Sequence, residues 1–276
     1  MFQKLIDEAV EQSKINIRVN EGDYTGKDGL LYCGKCNTKK QAEIEVLGEI
    51  RRPFCVCKCE KEKMDREEAQ RKRAELIYRL RRDCFWDNKK MHDYTFANDD
   101  MKNERITKAM QNYVANFAEL KKQGKGLLLH GSCGTGKTFA ACEIANALIE
   151  MGYPVLVTNF AEIINTLQST FEKQEYIDSF NRYALLVIDD LGIERDTAFA
   201  KEQVYNVIDE RIKSGLPMII TTNLTLDKIT KTEDIGYKRI YERILERCMP
   251  IEVEGQNRRM NAARQSYSDM KELLGL

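Results

Sequence analysis

From about residue 127 onward, apolar runs of strand length alternate with stretches of helical periodicity. The runs fall at 127–130, 154–159, 184–189, 217–222 and 251–254, and the helical stretches at 137–150, 160–172, 201–214 and 236–248. Strands that read as continuous apolar runs, each followed by an amphipathic helix, predict a parallel sheet covered by helices on both faces. The first third of the chain has a different texture. Residues 3–17 and 60–82 are spaced as helices, the second charged almost throughout ("EKEKMDREEAQRKRAELIYRLRR"), and a cysteine-rich segment lies between them. The expected organisation is a small module over 1–60, a charged helical linker over 61–92 and an α/β core with a C-terminal tail over 93–276. No internal repeat and no low-complexity tract interrupts this plan.

Charge refines the picture locally. Lys+Arg and Asp+Glu both number 44, so net charge argues neither for nor against a nucleic-acid partner. From Arg51 to Arg82, however, twelve Lys/Arg face six Asp/Glu. This basic arm suits either a solvated connector or contact with a nucleic-acid backbone. There is no apolar run of about eighteen residues, and "MFQKLIDEAVEQSK" lacks the pattern of a signal peptide, so a soluble, cytoplasmic protein is expected.

The candidate chemistry starts after the first apolar run, at "GSCGTGKT", residues Gly131, Ser132, Cys133, Gly134, Thr135, Gly136, Lys137 and Thr138. Glycines let the backbone wrap a pyrophosphate with its N–H groups pointing inward. Lys137 then reaches the β- and γ-phosphates, and the Thr138 hydroxyl is placed for Mg²⁺. The helix that follows presents its positive end to the same anion. Strand, full G-x-x-x-x-G-K-T spacing and helix together identify a P-loop that binds a nucleotide such as ATP.

The run "LLVIDD" places Asp189 and Asp190 at the carboxyl end of a buried strand, where ligands gather in α/β sheets. Asp189 suits Mg²⁺, directly or through water, and Asp190 suits the polarisation of an attacking water. Loop and aspartates together imply hydrolysis. Asn223 ends the next buried strand and reaches the γ-phosphate or the lytic water if that strand lies between the other two. Arg239, Arg243 and Arg247 recur every four residues along one helical face, from which an arginine can enter a neighbouring subunit's site. A small-molecule kinase would use the same loop but needs an acceptor pocket and a lid. A nucleotide switch with little turnover also stays open, because "DD" stands where many such motors carry Asp-Glu.

Five of the nine cysteines cluster, in "YCGKCNTKK" and "PFCVCKCEKEK". In a chain with a nucleotide-binding loop and no export signal these read as thiols rather than disulfides. A CxxC knuckle followed about twenty residues later by a second group has the spacing of a zinc ribbon. Cys33, Cys36, Cys57 and Cys59 are the expected Zn²⁺ ligands, with Cys55 the spare and the choice within the second group open.

Over residues 93–260 the chain resembles the AAA+ helicase loaders of the bacterial and phage DnaC/DnaI type and the similar transposition helper IstB. "GSCGTGKTFAACEIANALI", "VTNFAEIINTL", "LLVIDDLGIERDT", "VYNVIDERIKSGLPMIITTNLT" and "IYERILERCMPIEVEGQNRR" carry the likeness. The resemblance implies an ASCE-type AAA+ fold that binds ATP and Mg²⁺ and hydrolyses ATP at subunit interfaces. It makes Lys137 and Thr138 the Walker A pair, Asp189 and Asp190 the Walker B pair, Asn223 sensor 1 and Arg243 the arginine finger. Sensor 2 falls at Arg259 or Arg258, because "GQNRR" lacks the tyrosine usual before that position. "DYTF" matches the segment that approaches adenine. The helix "FAEIINTLQSTF" is a DNA-facing candidate, although its apolar spacing fits core packing equally well. The implied partners are a replicative helicase, gripped by the N-terminal zinc module, single-stranded DNA, and further copies of the chain in an ATP-dependent oligomer. The alternative partner is a transposase.

Overall fold

The computed structural model describes residue 8 and residues 19–85, 88–192 and 197–274; the helix expected over 3–17 lies almost wholly outside them. The chain divides into two compact units, Met1–Glu75 and Leu76–Leu276.

The first unit is built on very short pairings. Strands β1 (Tyr24–Thr25) and β2 (Leu31–Tyr32) form one antiparallel pair, and β3 (Ile44–Val46) and β4 (Glu49–Arg51) another. Its buried residues include Leu30, Cys33, Cys57 and a fully buried Lys40, whose ammonium sits 2.9 Å from Asp23. That lysine holds the Asp23 carboxyl down at about 2. Asp23 also accepts the Gly34 N–H at 3.1 Å, which ties the "CGKC" turn to the preceding loop. Gly34 is obligatory there: an ideal Cβ would lie 2.0 Å from the Gly22 carbonyl oxygen.

Helix α1 (Lys58–Cys84) begins in this unit and ends in the second. Its first part is exposed and carries Lys63–Glu67, Lys72–Glu68 and Arg71–Glu75 pairs at i,i+4 spacing, the usual support for a solvated helix. Its end is different: Ile77, Leu80 and Cys84, with Phe85 and Met91 beyond it, pack into the core of the second unit. Part of the segment expected as a linker over 61–92 therefore belongs to the core.

The second unit holds a five-stranded, all-parallel sheet: β5 (Gly126–His130), β6 (Val155–Asn159), β7 (Leu185–Leu191), β8 (Met218–Thr222) and β9 (Cys248–Glu252), in the order β6-β7-β8-β5-β9. Side chains alternate between its faces. Leu128, Leu156, Leu186, Ile188 and Ile220 point to one core, and Leu127, Leu129, Val157, Leu185, Val187 and Ile219 to the other. Helices α2 (Glu104–Ala115), α3 (Phe117–Gln123) and α4 (Lys137–Glu150) cover the second face; α5 (Phe160–Ser169), α6 (Lys173–Asp178), α7 (Ala198–Lys213), α8 (Leu226–Thr230) and α9 (Ile235–Arg247) cover the first. Helix α10 (Arg258–Leu274) follows β9. Among the described residues no helix is long and apolar enough to cross a membrane.

The last strand departs from the expected 251–254. It starts at Cys248, directly after α9, and runs through Pro250, which pairs with Leu128. A proline argues against a central strand, but β9 is an edge strand, where the missing N–H breaks no ladder bond. The helix expected over 160–172 stops at Ser169, because Thr170 turns to extended backbone (φ −95°, ψ 144°). The apolar positions of α5, Phe160, Ile163, Ile164 and Leu167, are all buried in the core.

One charged group is built into that core. Arg211, on α7, is 1% exposed, and burial pulls its pKa down to about 10. Its guanidinium donates to the carbonyls of Phe180 (3.0 Å), Tyr183 (3.0 Å) and Pro217 (2.9 Å), joining α7 to the approaches of β7 and β8. Replacing it by Met strips the donor from three carbonyls, each worth roughly 1–3 kcal/mol when left unmade in the interior. Arg211→Met is expected to destabilise the unit by about 3 kcal/mol, read as a fall in Tm of roughly 6–12 °C in thermal unfolding.

Candidate functional site

The loop expected to hold phosphate links β5 to α4. Gly134 takes φ +79°, where a Cβ would also lie 2.1 Å from Asn257 Oδ1, and its carbonyl accepts the Arg258 N–H at 3.0 Å. Thr135 closes the turn by donating its hydroxyl to the Ser132 carbonyl at 3.0 Å. Lys137, the first residue of α4, is 5% exposed. Its ammonium donates to Gly131 O (3.0 Å), Ser132 O (2.7 Å) and Asn223 Oδ1 (2.8 Å). Burial lowers its pKa, and the nearby charges of Asp189 and Asp190 oppose that shift.

Strand order makes this meeting possible. β8 lies between β5, which carries the loop, and β7, which carries the aspartates, so Asn223 leaves the sheet between them. Its Nδ2 is 3.5 Å from Asp190 Oδ1 while its Oδ1 faces Lys137. Thr138 donates its hydroxyl to Asp189, 2.9 and 3.0 Å from the two carboxylate oxygens. Burial raises the Asp189 pKa, and hydrogen bonds from Thr221 and Thr138 oppose the rise. A hydroxyl and a carboxylate converging beside a phosphate-binding loop are hard oxygen donors that fit Mg²⁺.

These groups line a cleft of about 390 Å³ together with Cys133, Gly134, Gly136, Phe139, Arg258 and Arg259, and with Asn88, Met91 and Tyr94 from the segment after α1. Tyr94 and Phe139 pack at 4.9 Å between ring centroids. Asn146 fixes this wall: from within α4 its Nδ2 donates to Met91 O and Tyr94 O, both at 2.9 Å. Of the two arginines left open for sensor 2, Arg258 pairs with Asp100 at 3.0 Å, whereas Arg259 adds positive potential at both Lys137 and Asp189.

Arg243 does not reach this cleft. It lies on α9, 3.3 Å from Asp209 and 3.1 Å from Glu246. Its neighbours in the stripe are also engaged: Arg239 stacks over the Tyr205 ring at 5.0 Å, and Arg247 lies 3.5 Å from Glu246. Thr221, Asn146 and Asp100 escaped the sequence reading. A signal existed for Thr221, since "TTN" closes an otherwise apolar strand with three polar residues in a row.

A second cluster lies in the first unit. The sulfurs of Cys33, Cys36, Cys57 and Cys59 all fall within 4.8 Å of one another, with Cys33–Cys59 at 3.7 Å and Cys57–Cys59 at 3.4 Å. Tetrahedral bonds of ~2.3 Å would set sulfurs ~3.8 Å apart, so the four donors suit a closed thiolate site. The Thr38 hydroxyl pulls the Cys36 thiol down to about 6, while Cys57, Cys36 and Cys33 around Cys59 push its thiol up to about 12. Four thiols this close cannot all ionise without a cation among them. The Cys55 sulfur instead contacts the Lys39 carbonyl at 3.6 Å.

The chain is similar to known proteins in sequence and in fold. The replicative helicase loader DnaI of Bacillus subtilis is 30% identical over 167 residues, 55% of this chain and 54% of that protein. A chain named for ATP binding in an insertion sequence of Mycobacterium tuberculosis is 28% identical over 160 residues, 57% of this chain and 62% of its own length. These alignments span between half and two thirds of the relatives' length. The crystal structure of a DnaI matches with a TM-score of 0.55 and 25% identity, covering 63% of this chain and 95% of that one. The family of IstB-like ATP binding proteins matches residues 59–266, which takes in the loop, both aspartates, Asn223 and the paired arginines, and the chain belongs to that family.

Proposed function

We propose that the chain is an ATPase that helps place a replicative helicase on single-stranded DNA. The observation that carries this reading is the convergence of Lys137, Thr138, Asp189, Asp190 and Asn223 in one cleft while Arg243 stands on a separate helix. Such a site can hold nucleotide by itself, and a further cation opposite the transferring phosphoryl group would complete it for hydrolysis. Mg²⁺, held by Thr138 and Asp189, would supply Lewis-acid charge on the phosphates. Lys137 neutralises the β/γ-phosphates, Asp190 accepts a proton from water, Asn223 orients that water, and Arg259 lies where it senses the γ-phosphate. Arg243 completes the site of a neighbouring copy, which makes turnover depend on assembly. The cysteine unit, with Zn²⁺ on Cys33, Cys36, Cys57 and Cys59, grips the helicase.

Two groups of variants test this. Lys137→Ala is expected to lose ATP affinity, Asp190→Asn to bind ATP but turn it over slowly, and Arg243→Ala to bind normally with a loss of ~10³-fold in rate. Mixing Lys137→Ala with Arg243→Ala pairs an intact loop with an intact arginine at some interfaces, so ATPase activity should reappear and rise with protein concentration. Absence of rescue in demonstrably mixed assemblies would place the whole site within one chain.

The partner is read from the cysteine unit. Purified protein is expected to carry about one zinc per chain by elemental analysis and to co-elute with the replicative helicase of its own cell in size-exclusion chromatography. Cys33→Ser should lose the metal and the helicase together while keeping ATP binding. Co-elution with a transposase instead of the helicase would favour the second reading, an assistant to transposition, which the insertion-sequence relative supports.

A further inference from the structure

β7 and β8 pair regularly through Ile188↔Ile220, and the ladder resumes at Leu191↔Thr222. Three steps on β7 thus face two on β8: one extra residue is inserted in the strand that carries the aspartates. A bulge of this kind bends its strand and breaks ladder bonds. Its cost is visible at Asp190, which takes φ +57°, a left-handed conformation that a residue with a Cβ adopts only under strain.

Two hydroxyls from β8 occupy the gap. Thr222 donates to the Leu191 carbonyl at 2.7 Å. Thr221, 0% exposed, accepts the Asp190 N–H at 2.9 Å and donates to Asp189 Oδ1 at 2.6 Å. A single buried oxygen is therefore bonded to both aspartates, to the backbone of one and the carboxylate of the other. Valine would fill the same space in a strand without burying a hydroxyl, which is unfavourable unless the hydroxyl is bonded. The Asp189 oxygen that Thr221 binds is also reached by Thr138 from the phosphate loop.

We propose that Thr221 is a positioning residue for ATP hydrolysis, fixing the Asp189 carboxylate toward Thr138 and holding the bulge that turns Asp190 out of the sheet. The hydroxyl acts through the Asp189 carboxylate and the Asp190 backbone N–H, not on the reacting atoms. This assignment rests on the hydrolytic reading of the cleft given above. A role confined to packing would be served equally by Val, whereas positioning needs the oxygen.

The test compares Thr221→Val with Thr221→Ser in the full-length chain, reading kcat, the Kd of a fluorescent ATP analogue, and the Mg²⁺ concentration that half-saturates the Mg²⁺-dependent gain in analogue affinity. For Thr221→Val we expect kcat to fall ~10–100-fold, metal-free Kd to stay within about threefold, and the half-saturating Mg²⁺ to rise about tenfold, the range found when groups that orient metal-binding carboxylates are removed. Thr221→Ser should return all three to near wild type. Wild-type kcat and Mg²⁺ dependence in Thr221→Val would overturn the assignment, as would a defect that Thr221→Ser fails to correct. If Thr221→Val does not fold, Thr221→Ala takes its place, and its behaving like Thr221→Ser would equally overturn it. Should the wild-type chain turn over no ATP, the hydrolytic reading falls, and the Mg²⁺ titration still decides the role of Thr221.

Discussion

An ammonium taken out of water has to be surrounded by oxygen, and Lys137 meets that demand with three oxygens from three places: two carbonyls of its own loop and the amide of Asn223. None of the three carries a formal charge. The cation is therefore solvated but not neutralised, and an anionic phosphate remains the partner that gains most from it. The arrangement works only because β8 lies between β5 and β7. Exchange β8 with either neighbour and the amide of Asn223 would no longer stand between the lysine and Asp190. Strand order and site chemistry are in this sense one constraint.

The same geometry explains why the aspartates differ. Asp189 still lies in the ladder, opposite Asn159, and its carboxylate is buried under two hydroxyls, a setting suited to holding a metal ion in place. Asp190 is past the regular pairing with β8, its backbone turned by the bulge and its carboxylate facing the Asn223 amide. Adjacent residues in a flat strand would point to opposite faces of the sheet. The bulge is what lets two consecutive carboxylates serve one cleft. Side-chain hydroxyls from β8 then replace the ladder bonds lost.

Much of the second unit was legible in the sequence, because buried parallel strands and their covering helices leave strong periodic signals. The P-loop spacing and the apolar run before Asp189 were read in place, and the five strands differ from expectation chiefly at their ends. Pro250 obscured β9, since its tolerance depends on the strand being at an edge, which no local pattern reveals. Arg211 was equally hidden: on α7 it reads as one more charged residue, and only the packing of three chain segments around it shows that it belongs to the core. The run of polar residues in "TTN" marks Thr221 in the sequence but not what its hydroxyl binds. Whether its oxygen is used depends on the register shift between β8 and its neighbour β7, which no local pattern reveals. Pairs four residues apart support the exposed part of α1, and its charge pattern shows them, but not that the last turns join the core.

The first unit poses the opposite problem. Strands of two and three residues bury little, and among the described residues the interior holds Lys40 with Asp23 and the thiols of Cys33 and Cys57 beside little hydrocarbon. Among the described residues few apolar contacts offset a folding entropy of about 1–2 kcal/mol per residue, and a cross-link or a metal would add to what holds the turns. The four sulfurs come from two stretches, the "CGKC" turn and the start of α1, and a single cation on them would join the two. The buried Lys40 ammonium, whose charge is felt at Cys57, opposes the negative charge that four thiolates would leave on such a centre. Its ion pair with Asp23 in turn fixes the Gly34 N–H of the knuckle. Charge compensation and turn geometry around the four sulfurs are thus supplied by the same few residues.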